Sequence, residues 1–212
     1  MAKIRYSTIF LRGWSTIVLF AVLGLVLAVV FSFLRPLEYS STVRLLITQN
    51  VGTVDAYTAA RSAERIAEDL ATITYTTSFY DKVMSAGYGI DESYFPEDDY
   101  KRRKKWNKTI STTVARGTGL LTIKAYHTDV AQAEQLAHAI AFVLTNEGWT
   151  YTSGVNITVR LVDTPLNSRW PMRPNIPANA FSGFILGGLA GALYLMIQTE
   201  RMRRRHQLVH EE

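Results

Sequence analysis

The 212-residue chain is 48% hydrophobic, carries a formal net charge of +5 and contains no cysteine. The lack of cysteine excludes disulfide bonds and thiol chemistry anywhere in the sequence. Residues 14–34 and 175–199 contain no charged residue, and each stretch supplies the roughly 20 helical residues that cross a bilayer core of about 30 Å. Because a backbone in hydrocarbon must form its own hydrogen bonds, both stretches are predicted to be transmembrane helices.

The charge distribution predicts how the chain crosses the membrane. Residues 1–13 and 200–212 together contain seven basic and three acidic residues, whereas residues 35–173 contain sixteen and fifteen. The positive-inside rule therefore places both tails in the cytoplasm and residues 35–173 outside the cytoplasmic (inner or plasma) membrane. The first apolar stretch exceeds the 7–15 residues of a signal-peptide core, and no small-x-small cleavage site follows it. We therefore expect an uncleaved first span at residues 14–34 and a second span at residues 174–199.

The external segment begins with a predicted strand and a predicted long helix. Residues 42–48 alternate in hydrophobicity, with Val43, Leu45 and Ile47 on one face. From Ala56 to about Met84, apolar residues recur at helical spacing. The threonine-rich sequence TITYTTS weakens this pattern, which leaves open a division into two helices.

A run of charge follows in the sequence PEDDYKRRKK, residues 96–105. Its basic residues are Lys101, Arg102, Arg103, Lys104 and Lys105. Such a run is typical of a solvated loop or helix face. The functional alternatives are contact with an anionic glycan, with a lipid headgroup or with a neighbouring subunit. We expect no nucleic-acid partner, because the run is predicted to lie outside the membrane.

The second half of the external segment predicts a hairpin, a helix and a strand. Residues 110–114 and 121–125 are predicted strands joined by a short glycine-containing turn. Asp129 and Gln132 have the spacing of a capping box at the start of a helix, and the last strand alternates through residues 155–161. The order of strand, helix, strand, strand, helix, strand predicts an α+β fold. We expect a membrane-proximal, ferredoxin-like β-α-β-β-α-β extracytoplasmic domain between two transmembrane helices.

Three prolines precede the second span at steps of three residues: Pro171, Pro174 and Pro177. A polyproline II helix has three residues per turn, so this spacing predicts a stiff strut over residues 171–177. Pro177 is expected near the first helical turn, where its missing N–H is harmless. The alternative is a simple device that ends one element and starts a helix.

Small residues recur at four-residue steps in both spans. Gly183, Gly187 and Gly191 form two consecutive G-x-x-x-G units in the second span, and Gly24 and Ala28 form a similar pair in the first. In lipid, small residues let helix backbones approach closely and so mark contact faces. We expect these faces to pair the spans, either within one subunit or between subunits.

The basic residues after the second span are Arg201, Arg203, Arg204 and Arg205. They are expected to fix topology and to contact anionic lipid, or to bind a cytoplasmic partner. The sequence contains no Ser-His-Asp set, no G-x-S-x-G motif and no cluster of residues with metal-ligand spacing. We therefore expect no enzymatic activity, no cofactor and no metal site.

The chain resembles the Wzz-type chain-length determinants, a family of polysaccharide co-polymerases. The resemblance rests on YSSTVRLLITQ after the first span, the helix TDVAQAEQLAHAIAFVL, the strand ITVRLVDTP and the spaced prolines before a glycine-bearing span. The family's frequent Ser-Pro-Lys element is replaced by Ile176-Pro177-Ala178. The external segment is too short for the family's long helical hairpin. The tail ERMRRRHQLVHEE has neither a Walker A sequence nor tyrosine, which is similar to the short two-span type without a kinase domain.

The resemblance implies a non-enzymatic subunit that assembles as a homo-oligomeric ring in the membrane. Such a subunit works with a membrane polysaccharide polymerase or exporter in chain-length control, assembly or export of a cell-surface polysaccharide. One alternative is a membrane adaptor that activates a separate cytoplasmic tyrosine kinase. Another is a two-span membrane sensor of a ligand.

Overall fold

The structure is a computed structural model that describes residues 13–49, 55–152 and 157–209, with side chains described as far as residue 201. The predicted N-terminal tail up to residue 12 and the side chains of Arg203, Arg204 and Arg205 lie outside the described residues. The chain divides into two compact units. One consists of Met1–Pro36 with Arg173–Glu212, and the other of Leu37–Met172.

The described part of the chain contains six α-helices and four β-strands, with two short 3₁₀ turns at Glu92–Tyr94 and Gly148–Tyr151. In chain order the elements are α1 (Trp14–Phe33), β1 (Tyr39–Gln49), α2 (Ala56–Ile73), α3 (Thr77–Met84), α4 (Asp99–Thr109), β2 (Ile110–Val114), β3 (Leu120–His127), α5 (Val130–Glu147), β4 (Ile157–Asn167) and α6 (Ile176–Val209).

The terminal unit contains α1 and α6, and both helices are long and apolar enough to cross a membrane. In α6 the apolar part covers Ile176–Arg201, and the helix continues to Val209, beyond the span predicted to end at residue 199. The start of α6 has a local cause. Asn175 accepts a hydrogen bond from the Ala178 N–H at 3.2 Å, so it supplies one of the partners that a helix N-terminus lacks.

The central unit is a mixed α+β structure built on a four-stranded antiparallel sheet. The strand order is β2-β3-β1-β4, and all three strand pairs are antiparallel. Val43, Leu45 and Ile47 in β1 are fully buried and form one core with apolar residues of α2 and α5. The intervening residues, such as Arg44 and Thr48, are exposed. This alternation is why one face of the sheet carries helices and the other is polar.

The threonine-rich stretch divides the predicted 56–84 helix into α2 and α3. The Thr74 hydroxyl donates to the Ala71 carbonyl at 2.6 Å and the Thr76 hydroxyl donates to the Ile73 carbonyl at 2.7 Å. Thr76 also caps α3 by accepting from the Phe79 N–H at 3.3 Å. Threonine hydroxyls thus form hydrogen bonds with backbone carbonyls that would accept from backbone N–H groups in an unbroken helix.

Both connections of the central unit leave from the same end of the sheet. Ser41 is paired with Asn167 across β1 and β4. Beyond that pair, the Ser168 N–H donates to the Ser40 carbonyl and the Met172 N–H donates to the Glu38 carbonyl, each at 2.8 Å. We call this the connection end, defined by residues 38–41, 125–127 and 167–172. The opposite end, where β1 ends and β3 begins, is called the far end.

Candidate functional site

The small residues of the two apolar helices meet one another within a single chain. A Cβ built on Gly24 would lie 2.9 Å from the Gly187 Cα, and one built on Gly183 would lie 3.1 Å from the Gly24 carbonyl carbon. A Cβ on Gly191 would lie 2.9 Å from the Phe20 Cβ. These distances are shorter than ordinary van der Waals contact, so the contact has no room for side chains at the glycine positions. Ala28 faces Gly183 in the same contact.

Two further pairs of side chains join α1 and α6 at either end of the glycine contact. Asn179 donates through Nδ2 to the Ser32 hydroxyl at 2.9 Å, and that hydroxyl donates to the Ala28 carbonyl at 2.8 Å. Toward the other end, the rings of Phe20 and Tyr194 stack with centroids 5.4 Å apart. Sequence reasoning missed these contacts, although an asparagine in an apolar span is itself a signal for a polar partner.

The proline segment differs from the predicted polyproline strut. Helix α6 begins at Ile176, so Pro177 lies in its first turn as expected, but the end of the predicted strut is helical. The Met172 N–H is hydrogen-bonded to the Glu38 carbonyl. The segment is therefore a paired connection followed by a helix start, which is closer to the alternative interpretation than to a regular rod over residues 171–177.

The basic run of residues 101–105 lies in helix α4, and its five cations fall into two groups. Arg102 is paired with Asp99, donates to the Glu97 carbonyl at 3.1 Å and lies over the Tyr80 ring at 5.6 Å. Lys105 lies 3.7 Å from the centroid of the Tyr94 ring. These two side chains are used to hold the helix in place.

The other three cations of the run point away from the core. Lys101, Arg103 and Lys104 are all exposed. No ion pair is formed by these three side chains in the part of the chain that the structure describes. They form a basic surface that is exposed to solvent.

A tryptophan anchors α4 to the rest of the unit. Trp106 is 1% exposed, and its Nε1 donates to the Thr74 carbonyl at 2.8 Å. Its ring lies edge-on to Tyr80 at 5.2 Å and near Phe95 at 6.0 Å. Sequence reasoning missed this anchor, and its one signal is a single tryptophan within a run of charged residues.

His127 is a buried titratable group beside the same aromatic cluster. It is 5% exposed, its Nδ1 accepts from the Asp129 N–H at 3.0 Å, and its ring lies 4.1 Å from that of Tyr94. Burial lowers the pKa of His127, which favours the neutral imidazole. Within the described ranges Nε2 has no hydrogen-bond partner, and no group of three or more His, Asp or Glu side chains is placed to hold a metal ion.

The basic tail continues the second apolar helix. Arg201 is exposed near the end of the apolar part of α6, and residues 203–205 belong to the same helix. The tail predicted at residues 200–212 is thus helical as far as Val209. A helix that continues past an apolar span carries its basic residues on a stiff extension of that span.

Comparison with known proteins does not assign the chain to a family. No protein-family model matches the sequence, and no curated protein matches it. The resemblance to the Wzz-type co-polymerases therefore rests on the residues quoted above and stays a prediction.

Proposed function

We propose that this protein is a non-enzymatic subunit of a membrane-embedded ring that acts in chain-length control, assembly or export of a cell-surface polysaccharide. One observation carries the proposal most: the α+β unit is flanked by two apolar helices, and its two connections leave the sheet side by side. A module held at both ends in this way suits anchorage on one side of a membrane. The resemblance to the Wzz-type proteins supplies the polysaccharide role.

The fold proposed for the central unit is ferredoxin-like. The strand order β2-β3-β1-β4 supports it, because β1 and β3 are then the two inner strands. Helix α2 connects β1 toward β2, and α5 connects β3 to β4, which matches a β-α-β-β-α-β arrangement. Helices α3 and α4 are additions between α2 and β2.

The proposed location is the cytoplasmic membrane, with both tails in the cytoplasm and the α+β unit outside. The hydropathy and length of α1 and of Ile176–Arg201 support two spans. The basic excess in the tails supports the orientation. In the ring, copies of the external unit would form a surface or lumen that meets the growing glycan or its polymerase.

The chain-length role is tested in a strain that lacks the gene. The modal length of the surface polysaccharide is measured in the deletion strain, in the strain complemented with the full chain, and in one complemented with an empty vector. We expect the length distribution to change on deletion and to return only with the full chain. An unchanged distribution in the deletion strain would remove the proposed role.

A kinase-adaptor role is the second candidate, and the helical extension of α6 favours it. Arg201 and the basic residues after it lie on a helix that continues to Val209, which is a suitable shape for docking a cytoplasmic protein. The test is a chain truncated after residue 201. Loss of tyrosine phosphorylation of a co-expressed partner kinase, with normal membrane insertion, supports the adaptor role. Unchanged phosphorylation rejects it.

A further inference from the structure

We propose that the connection end of the α+β unit, together with the outer face of α4, is a docking surface for anionic phospholipid headgroups. Its basic part is the outer face of α4, with Lys101, Arg103 and Lys104, and its amphipathic part is the exposed pair Arg169 and Trp170. The inference rests on the proposed membrane anchorage of α1 and α6, and it is independent of the polysaccharide role. The sequence leaves three partners open for the basic run of residues 101–105: an anionic glycan, a lipid headgroup and a neighbouring subunit. The inference selects the lipid headgroup.

Strand register locates the basic helix at the connection end. Helix α4 leads directly into β2 at Ile110. Ile110 is paired with Ala125, Ala125 with Ser41, and Ser41 with Asn167. The carboxyl end of α4 therefore lies at the end of the sheet from which both connections leave. In a membrane-anchored protein, both connections to the spans leave the unit from that end.

Side-chain contacts hold α4 in this position. Trp106 donates to the carbonyl of Thr74, which is the C-cap residue of α2. Lys105 lies over the ring of Tyr94, and that ring packs on His127, the last residue of β3. Both anchors use the inner side of the helix and leave the outer cations exposed.

The exposed residues of α4 carry more basic than acidic charge. The acidic residues Asp98 and Asp99 occupy the amino end, where Asp98 caps the helix by accepting from the Lys101 N–H at 2.8 Å. Lys101, Arg103 and Lys104 follow directly in the first half of the helix, and Lys108 lies near the carboxyl end, which is joined to β2. Acidic groups near the helix start are stabilised by the helix dipole, so their position has a local cause.

The chain that leaves β4 adds an amphipathic element to the same end. Trp170 is 79% exposed and Met172 is 46% exposed, and Arg169 is exposed beside them. Tryptophan at the level of lipid headgroups is a recurrent feature of membrane proteins, because its ring is apolar and its N–H is polar. An exposed tryptophan next to arginine, within a few residues of an apolar helix, fits the same surface.

The experiment uses the full chain in nanodiscs of neutral phosphatidylcholine, with and without about one third phosphatidylglycerol. The chain has no cysteine, so a single Asn107→Cys substitution on the exposed face of α4 reports accessibility through its rate of maleimide labelling. We expect labelling to be several-fold slower in the anionic nanodiscs at low salt. The difference should disappear at about 0.5 M salt, because screening weakens exposed charge interactions.

Two matched pairs of variants test whether the named surface is responsible. The first pair compares the triple variants K101E/R103E/K104E and R65E/R116E/R160E. The two triple variants change the net charge equally, and the second alters exposed cations away from the connection end. Only K101E/R103E/K104E is expected to abolish the difference in labelling rate between neutral and anionic nanodiscs. The second pair is W170A and W149A, because Trp149 is 63% exposed but follows α5 at the far end.

The outcomes separate this inference from the proposed anchorage and from a glycan site. Failure of the chain to enter nanodiscs overturns the anchorage and the docking surface together. Stable insertion with equal labelling in both lipids overturns the docking surface and leaves the anchorage intact. Equal labelling in both lipids, combined with protection by a soluble anionic polysaccharide, assigns the basic face to glycan instead. Circular dichroism of each variant checks that the fold is retained.

Discussion

Gly187 lies at the closest approach of α1 and α6, so its replacement by alanine is the sharpest test of the helix pair. A Cβ at this position would lie 3.0 Å from both the Ala21 Cα and the Phe20 carbonyl carbon. Both are backbone atoms, so the clash cannot be relieved by a side-chain rotation. Overpacking of a close contact costs about 1–3 kcal/mol, and we expect Gly187→Ala to destabilise the helix pair by about that amount.

The neighbouring glycine supplies a matched control. A Cβ at Gly188 would meet only the Ala21 Cβ, at 3.8 Å, which is ordinary contact. Gly187→Ala and Gly188→Ala change helix propensity equally, so the difference between them isolates the steric effect. Unfolding of the full chain in mixed micelles, titrated with a denaturing detergent and followed by circular dichroism, measures that difference.

A second assay reports the contact directly. The same 3.8 Å separation lies within the usual Cβ···Cβ range of disulfides, so the double variant A21C/G188C should cross-link readily within one chain. Adding Gly187→Ala should slow this cross-linking. If the two alanine variants unfold at the same midpoint and cross-linking is unaffected by Gly187→Ala, then α1 and α6 do not pack through this face.

Two further predictions concern the α+β unit. Burial lowers the pKa of His127 below its ordinary value of 6.5, so the unfolded chain binds a proton at a pH where the folded chain does not. The stabilisation by neutral His127 is therefore present above about pH 6.5 and is lost as the pH falls below it. The Tm of the wild-type protein should drop more on acidification than the Tm of the His127→Gln variant. His138→Gln is the surface control. Trp106→Phe removes the buried bond to the Thr74 carbonyl and should cost about 1–3 kcal/mol, whereas Trp149→Phe, which loses an exposed bond, should cost less; urea titration of both variants gives the comparison.

The elements with strong local patterns could be predicted from the sequence. Strand β1 was predictable because Val43, Leu45 and Ile47 alternate, and all three are fully buried. The start of α5 was predictable from Asp129, whose side chain accepts from the Ala131 N–H at 2.9 Å. The capping-box role of Gln132 was wrong. Its side chain accepts instead from the Asp91 N–H at 2.9 Å, and the Asp129 N–H donates to His127 Nδ1 at 3.0 Å.

Helix α4 is held by contacts with residues distant in the sequence, and its secondary structure could not be predicted from the sequence. Helix α4 is strongly polar, and of its residues only Trp106 and Thr109 are buried, so the sequence leaves a loop and a helix face equally open. What holds the helix is the bond from Trp106 to Thr74, which are 32 residues apart. The position of α4 depends on such long-range pairs, and the local periodicity of the sequence does not predict them.

The internal pairing of α1 and α6 also bears on how copies of the chain would associate. The glycine face of α6 is already covered by α1 of the same chain, so contacts between copies need other surfaces. Strand β4 is an edge strand, and its Leu161 and Val162 are 43% and 53% exposed. Exposed apolar residues on a sheet edge favour pairing with another chain.

We therefore expect Val162→Lys to lower the oligomer mass measured by mass photometry in detergent and to leave A21C/G188C cross-linking unchanged. Thr72→Lys, at an exposed position on α2, adds the same charge away from the edge and should leave both unchanged. Gly187→Leu should slow the cross-linking. A loss of oligomers with Gly187→Leu at normal cross-linking would mean that the glycine face joins different subunits, and the edge strand would then not be needed for assembly.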